Sequence, residues 1–351
     1  MELNNIIFLF LIIILGYFLN KYSIFLFSKN RLSLLIDDQF HKPQAFHKNP
    51  IYSIGGLSIF FLLGLVFLYL YFFKNIFYPE YITFCSLFLI LGLVDDCRII
   101  FKPKLRLLLM TFFLITLVIL NDFYIERTGL EFLNNLLKID IFSLFYICLC
   151  FLFIINGANL IDGFNGLLSI HALIILTILL GINFFSKNLE IAYILFYSII
   201  VILIFLKFNF PKAEMFLGDS GAYLLGSFVA VSTINTSILN PNISPFFFCL
   251  FLFYLFFEVF FSFFRKLLFF RKNPLLPDSK HLHMLIYKFF LKNKGSAVSN
   301  YSVSIFVNLI YLLLLIPGIF LMGNGLFCKY YFLILLVIYL SLYKVLIKRV
   351  R

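Results

Sequence analysis

Charge is scarce in this sequence: 13% of its 351 residues are Asp, Glu, Lys or Arg, against 63% hydrophobic. With a mean hydropathy of +1.06, the chain has too little polar surface to cover its apolar side chains in water. That excludes an ordinary soluble domain and makes a bilayer the fitting solvent. Tryptophan is missing while phenylalanine reaches 52; with abundant Ile, Leu, Asn and Lys this reads as codon bias and carries no functional weight. The six cysteines, Cys85, Cys97, Cys148, Cys150, Cys249 and Cys328, lack the paired spacings of a zinc site or a secreted disulfide framework, so free thiols are expected. The N-terminus lacks a basic signal region, and no small-residue cleavage pattern interrupts the apolar run from Ile6 to Phe27. That run is expected to stay as the first helix. No soluble domain, linker or internal repeat is evident.

What is present is a succession of apolar runs able to cross ~30 Å of hydrocarbon. They predict an all-α polytopic membrane protein of ten or eleven helices near 5–27, 52–73, 80–94, 104–121, 141–157, 166–184, 190–207, 219–237, 245–264, 301–321 and 327–346, forming one domain over 1–351. An outside N-terminus leaves 28–51, 95–103 with the start of the next helix, 158–165, 207–218, 265–300 and the C-terminal tail on the inner face. Those segments hold 22 of the 28 Lys and Arg, whereas the outer loops hold five: Lys74, Arg127, Lys138, Lys187 and Lys329. The positive-inside rule favours this orientation, and it explains the net charge of +12 without a nucleic-acid partner.

Polar clusters fall on the same inner face: Asp37, Asp38 and His41 to His47, then Asp95 and Asp96, Asn156 to Asn165, Asp219, and His281 with His283. Loops are where Asp and His belong, so any one cluster is weak; five on one side with no outer counterpart indicate one shared site. Asp95 and Asp96 end an apolar helix and are followed by Lys102, Lys104 and Arg106. Two carboxylates there are either a solvated terminus, hard-cation ligands or general bases. Asn156, Asn159, Asp162 and Asn165 recur every three residues, which on a helical turn gives a ladder on one face, with neighbouring glycines allowing a break and close ligand approach. Asp219 and Ser220 open the next helix, as an N-cap, an anion site, or both. His281 and His283 lie in the most basic loop, where they would grip phosphate oxygens; His171, inside an apolar helix, reads as structural.

In order along nearly the whole chain, HKNPIYSIGG (47–56), GLVDDCRIIFKPKLR (92–106), NGANLIDGFNG (156–166), FLGDSG (216–221) and HLH (281–283) resemble the motifs of the polyprenyl-phosphate N-acetylhexosamine-1-phosphate transferases. The resemblance implies transfer of a sugar 1-phosphate, GlcNAc 1-phosphate first, from a UDP-N-acetylhexosamine to the phosphate of a polyprenol such as undecaprenol, releasing UMP. It implies Mg2+, with Mn2+ as a substitute, a bacterial inner membrane with the site on the cytoplasmic side, a place at the start of O-antigen-like envelope polysaccharide synthesis, and room for a homodimer. Anionic donor and acceptor do need a cation and basic groups to meet. By the same resemblance Asp95 or Asp96 positions or deprotonates the lipid phosphate, with Asp162 also in the catalytic set. Asp219, with Asp162, holds the metal. Asn159 and Asn165 contact the nucleotide, Phe216 stacks on uracil, and His47, Lys104, His281 and His283 hold phosphate or sugar. The sequence departs from the family where Asn165 stands in a place often occupied by Asp, and where Met284 stands for a further His. The second departure argues against the muramyl-pentapeptide branch. The rival reading, a transporter with an inward-facing ionisable site, calls for charges spread through mid-membrane positions, and only Glu258 is a carboxylate deep in a helix.

Overall fold

The computed structural model describes residues 3–30, 35–37, 50–97, 99, 102–269, 273–274, 278–294 and 300–350. Long apolar stretches satisfy their backbone polar groups internally, the only open-chain solution in hydrocarbon, and so form the helices α1 (Leu3–Asn30), α2 (Gly55–Lys74), α3 (Pro79–Asp96), α4 (Pro103–Asn121), α5 (Glu131–Leu137), α6 (Asp140–Ile161), α7 (Leu167–Phe185) and α8 (Leu189–Asn209). They continue as α9 (Gly218–Leu239), α10 (Pro245–Phe251), α11 (Phe253–Phe264), α12 (Leu282–Lys294), α13 (Asn300–Phe320) and α14 (Gly325–Val350). Proline opens α3, α4 and α10 at the first turn, where its missing N–H costs nothing.

Among the described residues nine helices are long and apolar enough to cross a membrane, and α10 with α11, bent by 72°, makes a tenth. The chain is thus an all-α polytopic membrane protein. The helix α3 carries Glu80 in its first turn and Asp95 and Asp96 at its end; its Tyr81, Phe84, Cys85, Phe88 and Leu89 are buried, so protein rather than lipid surrounds that face. The expected span 245–264 is broken at Leu252, and neither Pro nor Gly marks the break in the sequence.

The most enclosed helix is α9: 72% of its spanning window is buried, against 22% for α1, α4 and α14, whose outer faces meet lipid. Packing this close needs small residues. A Cβ on Gly92 of α3 would come within 2.4 Å of the Ser220 backbone nitrogen, and one on Gly56 of α2 within 2.4 Å of the Gly221 nitrogen. The backbones of α2 and α3 therefore touch the first turn of α9, as small residues permit between membrane helices.

Two features lie outside the expected helices. A three-stranded sheet of order β1-β2-β3 joins β1 (Ile36–Asp37), β2 (Ile51–Ser53) and β3 (Met215–Phe216), with Tyr52 paired to Ile36 on one side and Met215 on the other. It ties Ile36–Asp37 and Ile51–Ser53 to the entry of α9. The 265–300 stretch, expected as a basic loop, contains α12, docked on α14: Lys292 Nζ donates to the Arg349 carbonyl at 2.9 Å and the Arg349 guanidinium lies 5.7 Å from the Phe289 ring centroid.

Candidate active site

The first turn of α9 is the organising element. Gly218 enters it at φ 78°, a left-handed conformation that favours glycine, and a Cβ there would also meet an Asp96 carboxylate oxygen at 2.7 Å. The free amides of this turn point at α3: Asp96 Oδ1 accepts from the Asp219 N–H at 2.8 Å and Oδ2 from the Ser220 N–H at 3.0 Å. Neither Asp219 nor Ser220 caps its own helix, as their position had suggested. The N-cap residue is Leu217, without a side-chain cap, and the cap comes from another helix. A carboxylate satisfies the positive end of the helix dipole, and hydrogen bonds to a charged acceptor contribute ~1.5–3 kcal/mol each.

Asp219 in turn faces α6. Its Oδ1 accepts from Asn159 Nδ2 at 2.6 Å, while Oδ2 has no hydrogen-bond partner among the described residues. Asp162 follows the end of α6 as its C-cap. Its pKa is pushed up to about 8, first by burial, then by the Asp219 and Asp96 carboxylates, which places all three in one electrostatic neighbourhood. Asp95 forms the other flank: its Oδ2 accepts from Tyr223 Oη at 3.3 Å and pairs with an Arg106 guanidinium nitrogen at 3.3 Å. Thus α3, α4, α6 and α9 bring together Asp95, Asp96, Asn159, Asp162 and Asp219.

The four-rung ladder does not form. The helix ends at Ile161, so Asn156 alone shares α6 with Asn159, and its amide donates to the Leu152 carbonyl and approaches Met110 Sδ at 3.8 Å, on the α4 side. Asn165 sits in the following turn, its amide donating to the Pro211 carbonyl at 3.0 Å and accepting from Asn300 at 3.1 Å. Phe216 lies in β3 and is half-buried. Lys104 is exposed on the first turn of α4; the cation that reaches the carboxylates is Arg106. His47, with Asp38 and His41, lies outside the described residues.

The histidines are not displayed on a solvated loop. His281 and His283 are 1% and 0% exposed, their rings parallel at 5.7 Å. His281 Nδ1 meets Glu258 Oε2 at 3.0 Å, and His283 Nδ1 meets Tyr254 Oη at 3.2 Å. Burial holds the His283 imidazole down at about pKa 3, the main cause, with the Glu258 carboxylate opposing and His281 assisting. The ring of Phe164, two residues after Asp162, stands edge-on to His283 at 5.8 Å. His171 is structural, as expected, with Nδ1 3.1 Å from Asn308 Oδ1.

Sequence reasoning passed over Arg106, Tyr223 and Glu258 as site residues. Tyr223 was findable: four residues after Asp219, it shares that face of α9. Glu258 was not, since its partners come from α12 and α14.

A family model described as glycosyl transferase family 4 matches residues 79–237, from the start of α3 almost to the end of α9. The chain is 32% identical over 237 residues to the undecaprenyl-phosphate alpha-N-acetylglucosaminyl 1-phosphate transferase of Thermotoga maritima, covering 68% of each chain. The chain belongs to glycosyl transferase family 4. It is also 34% identical over 199 residues to the phospho-N-acetylmuramoyl-pentapeptide-transferase of Dictyoglomus turgidum, covering 54% of this chain and 61% of that one. The enzyme of the same name from Listeria monocytogenes is 30% identical over 158 residues, covering 42% of this chain and 49% of that one. The matched segment of this family 4 protein carries every carboxylate of the cluster.

Among the described residues no three His, Cys, Asp or Glu side chains form a ready metal cage. Mg2+ rarely asks for one: it usually takes one or two carboxylates and completes its octahedron with water and substrate phosphates. Asp219 and Asp162, hard oxygen donors with coordinating capacity left, fit that mode.

Proposed function

We propose that this family 4 protein transfers an N-acetylhexosamine 1-phosphate, GlcNAc 1-phosphate first, from a UDP-sugar to a polyprenyl phosphate. An acceptor phosphate oxygen attacks the donor's β-phosphorus, the bond from that phosphorus to the bridging oxygen breaks, and UMP leaves. The observation that carries this reading is the meeting of four carboxylates from three helix ends beside the Arg106 guanidinium. Such a set can gather several phosphates at one point when its carboxylates hold a divalent cation that offsets their charge.

Arg106 and Tyr223 hold Asp95 in one orientation, leaving Oδ1 to accept a proton from, or position, the lipid phosphate. Asp96 fixes the start of α9 and through it Asp219; Asn159 turns the Asp219 carboxylate. Asp219 and Asp162 would hold Mg2+ or Mn2+, which when bound offsets the charge on the diphosphate. Asn165 and Phe216 border the nucleotide, and Lys104, His47, His281 and His283 provide polar groups at its edges.

The acceptor's hydrocarbon also has a place. An apolar cavity of ≈ 460 Å³ lies between α6, α9, α10 and α11, lined among others by Ile154, Ala230, Phe256 and Phe260. Ala230 is eleven residues along α9 from Asp219, ~16 Å of helix, within reach of a prenyl chain headed by phosphate. The positive-inside asymmetry supports a cytoplasmic face for the site, and the name of the Thermotoga relative supports undecaprenyl phosphate as acceptor and GlcNAc as sugar. A role at the start of O-antigen-like envelope polysaccharide synthesis fits this chemistry, as does a role in cell-wall precursor synthesis.

The test is a donor screen: purified protein, polyprenyl phosphate, Mg2+ and a series of sugar-labelled UDP-hexosamines. Label should enter the lipid fraction with one or a few of them; no label from any would refute the reading.

A further inference from the structure

Glu258 is a carboxylate with no place in the transfer chemistry above, yet it sits at the join of three helices. It is 1% exposed on α11. Its Oε1 accepts from the Leu282 backbone N–H at 2.8 Å and from Tyr339 Oη at 2.9 Å; its Oε2 faces His281 Nδ1 at 3.0 Å. The far nitrogens, Nε2 of His281 and Nε2 of His283, are buried without a hydrogen-bond partner among the described residues.

Two of the three contacts explain an anchor. Leu282 begins α12 and Tyr339 belongs to α14, so Glu258 pins both to α11. A neutral amide oxygen would do that equally well, and without the cost of burying a charge in the bundle. The third contact is the one that requires a carboxylate. An ionised acid can only accept, so His281 must present N–H at Nδ1. The other ring nitrogen is then fixed as an acceptor left over, and unlike the lone Nε2 of the structural His171 it is paired with a second such nitrogen, that of His283. Phe164 stands edge-on to His283, and as the second residue after Asp162 it links the start of α12 to the turn that carries that acid.

We infer that Glu258 is a positioning residue for donor binding: it sets the tautomer and orientation of His281 so that His281 Nε2, beside His283, accepts a hydrogen bond from a hydroxyl of the nucleotide sugar. This rests on the proposed transfer reaction. It adds to that reading a carboxylate that touches no substrate and acts only through an imidazole.

Glu258→Gln is the discriminating change. The amide oxygen keeps the bonds from Leu282 and Tyr339, while the amide NH2 now faces Nδ1 and favours the opposite tautomer. Turnover per donor KM should fall roughly tenfold or more, with the KM for polyprenyl phosphate and the unfolding temperature little changed. His281→Asn should show the same donor-side loss, and the double variant should be no worse than the poorer single one, because one residue works through the other. A Glu258→Gln protein with wild-type donor kinetics, or losses that multiply in the double variant, would overturn the inference. Selective 15N-histidine NMR of wild type, with His281→Asn for assignment, tests it without relying on a variant's folding. Protonated Nδ1 is expected, and a neutral ring protonated only at Nε2 would overturn it. A wild type that turns over no UDP-sugar fails the transfer reading instead, and the NMR result still decides the tautomer.

Discussion

The Asp96 carboxylate, last in α3, accepts the backbone N–H of Asp219 at 2.8 Å, so the end of one helix holds the beginning of another. This contact divides the two adjacent acids: Asp96 is committed to α9, and Asp95 is paired with Arg106.

Asp96→Asn keeps one acceptor and loses the charge. Stability should drop by ~1.5–3 kcal/mol, and transfer should fall about a hundredfold if Asp219 shifts by as little as about 1 Å. Thermal unfolding and initial rates measured together check this; an unaltered rate would show that Asp219 needs no such hold.

Gly92→Ala inserts a methyl where a Cβ has 2.4 Å to the Ser220 nitrogen. The helices α3 and α9 must separate, at ~1–3 kcal/mol, and the carboxylates with them. Membrane insertion should survive while transfer is lost. Full activity would show that this close approach is dispensable.

Arg106→Ala should raise the KM for polyprenyl phosphate and lower turnover at least about tenfold, the effect of losing a charge-assisted partner. Lys104→Ala, exposed two residues before Arg106, should have the smaller effect, because exposed charges contribute less. The reverse ranking would move the anion contact to Lys104.

That pair shows what the sequence could and could not disclose. The eleven apolar runs were legible because hydrocarbon thickness fixes their length and their composition leaves no alternative. So were the acids Asp95, Asp96, Asp162 and Asp219, since each stands at the end of such a run. Which of Lys104 and Arg106 turns inward depends on where α4 packs on α3, and no local pattern encodes that. The ladder from Asn156 to Asn165 looked continuous because its period of three is helical, yet the Asp162–Gly166 turn breaks it and sends Asn156 toward Met110. The bend at Leu252 and the Glu258–His281 pair arise from contacts among α10, α11, α12 and α14, far apart in the chain.

Asn165→Asp would supply the acid common in the family at this place. Here the Asn165 amide donates to the Pro211 carbonyl at an exposed contact, and a carboxylate would set two acceptors against each other, costing ~0.5–1.5 kcal/mol. Activity should fall rather than rise; an increase in donor turnover would show that the missing charge matters more than the turn.

Stability should carry a pH signature from His283, whose pKa is about 3 in the fold against 6.5 in a free side chain. The unfolded chain takes up this proton as pH falls below 6.5 and the folded one resists it. Stability is therefore fully present above that value and is lost downward at up to ~1.4 kcal/mol per pH unit until about pH 3. Unfolding temperatures from pH 7 to 5 should drop more steeply for wild type than for His283→Asn; parallel curves would contradict burial as a neutral ring.

The most direct test follows the phosphorus. With UDP-GlcNAc labelled with 32P at the β-phosphate, purified protein, polyprenyl phosphate and Mg2+, the label should pass into the lipid with one unlabelled UMP released for each, and Asp219→Asn should abolish both. Label remaining on the nucleotide while sugar reaches the lipid, or transfer undiminished in Asp219→Asn, would contradict a phosphosugar transfer centred on these carboxylates.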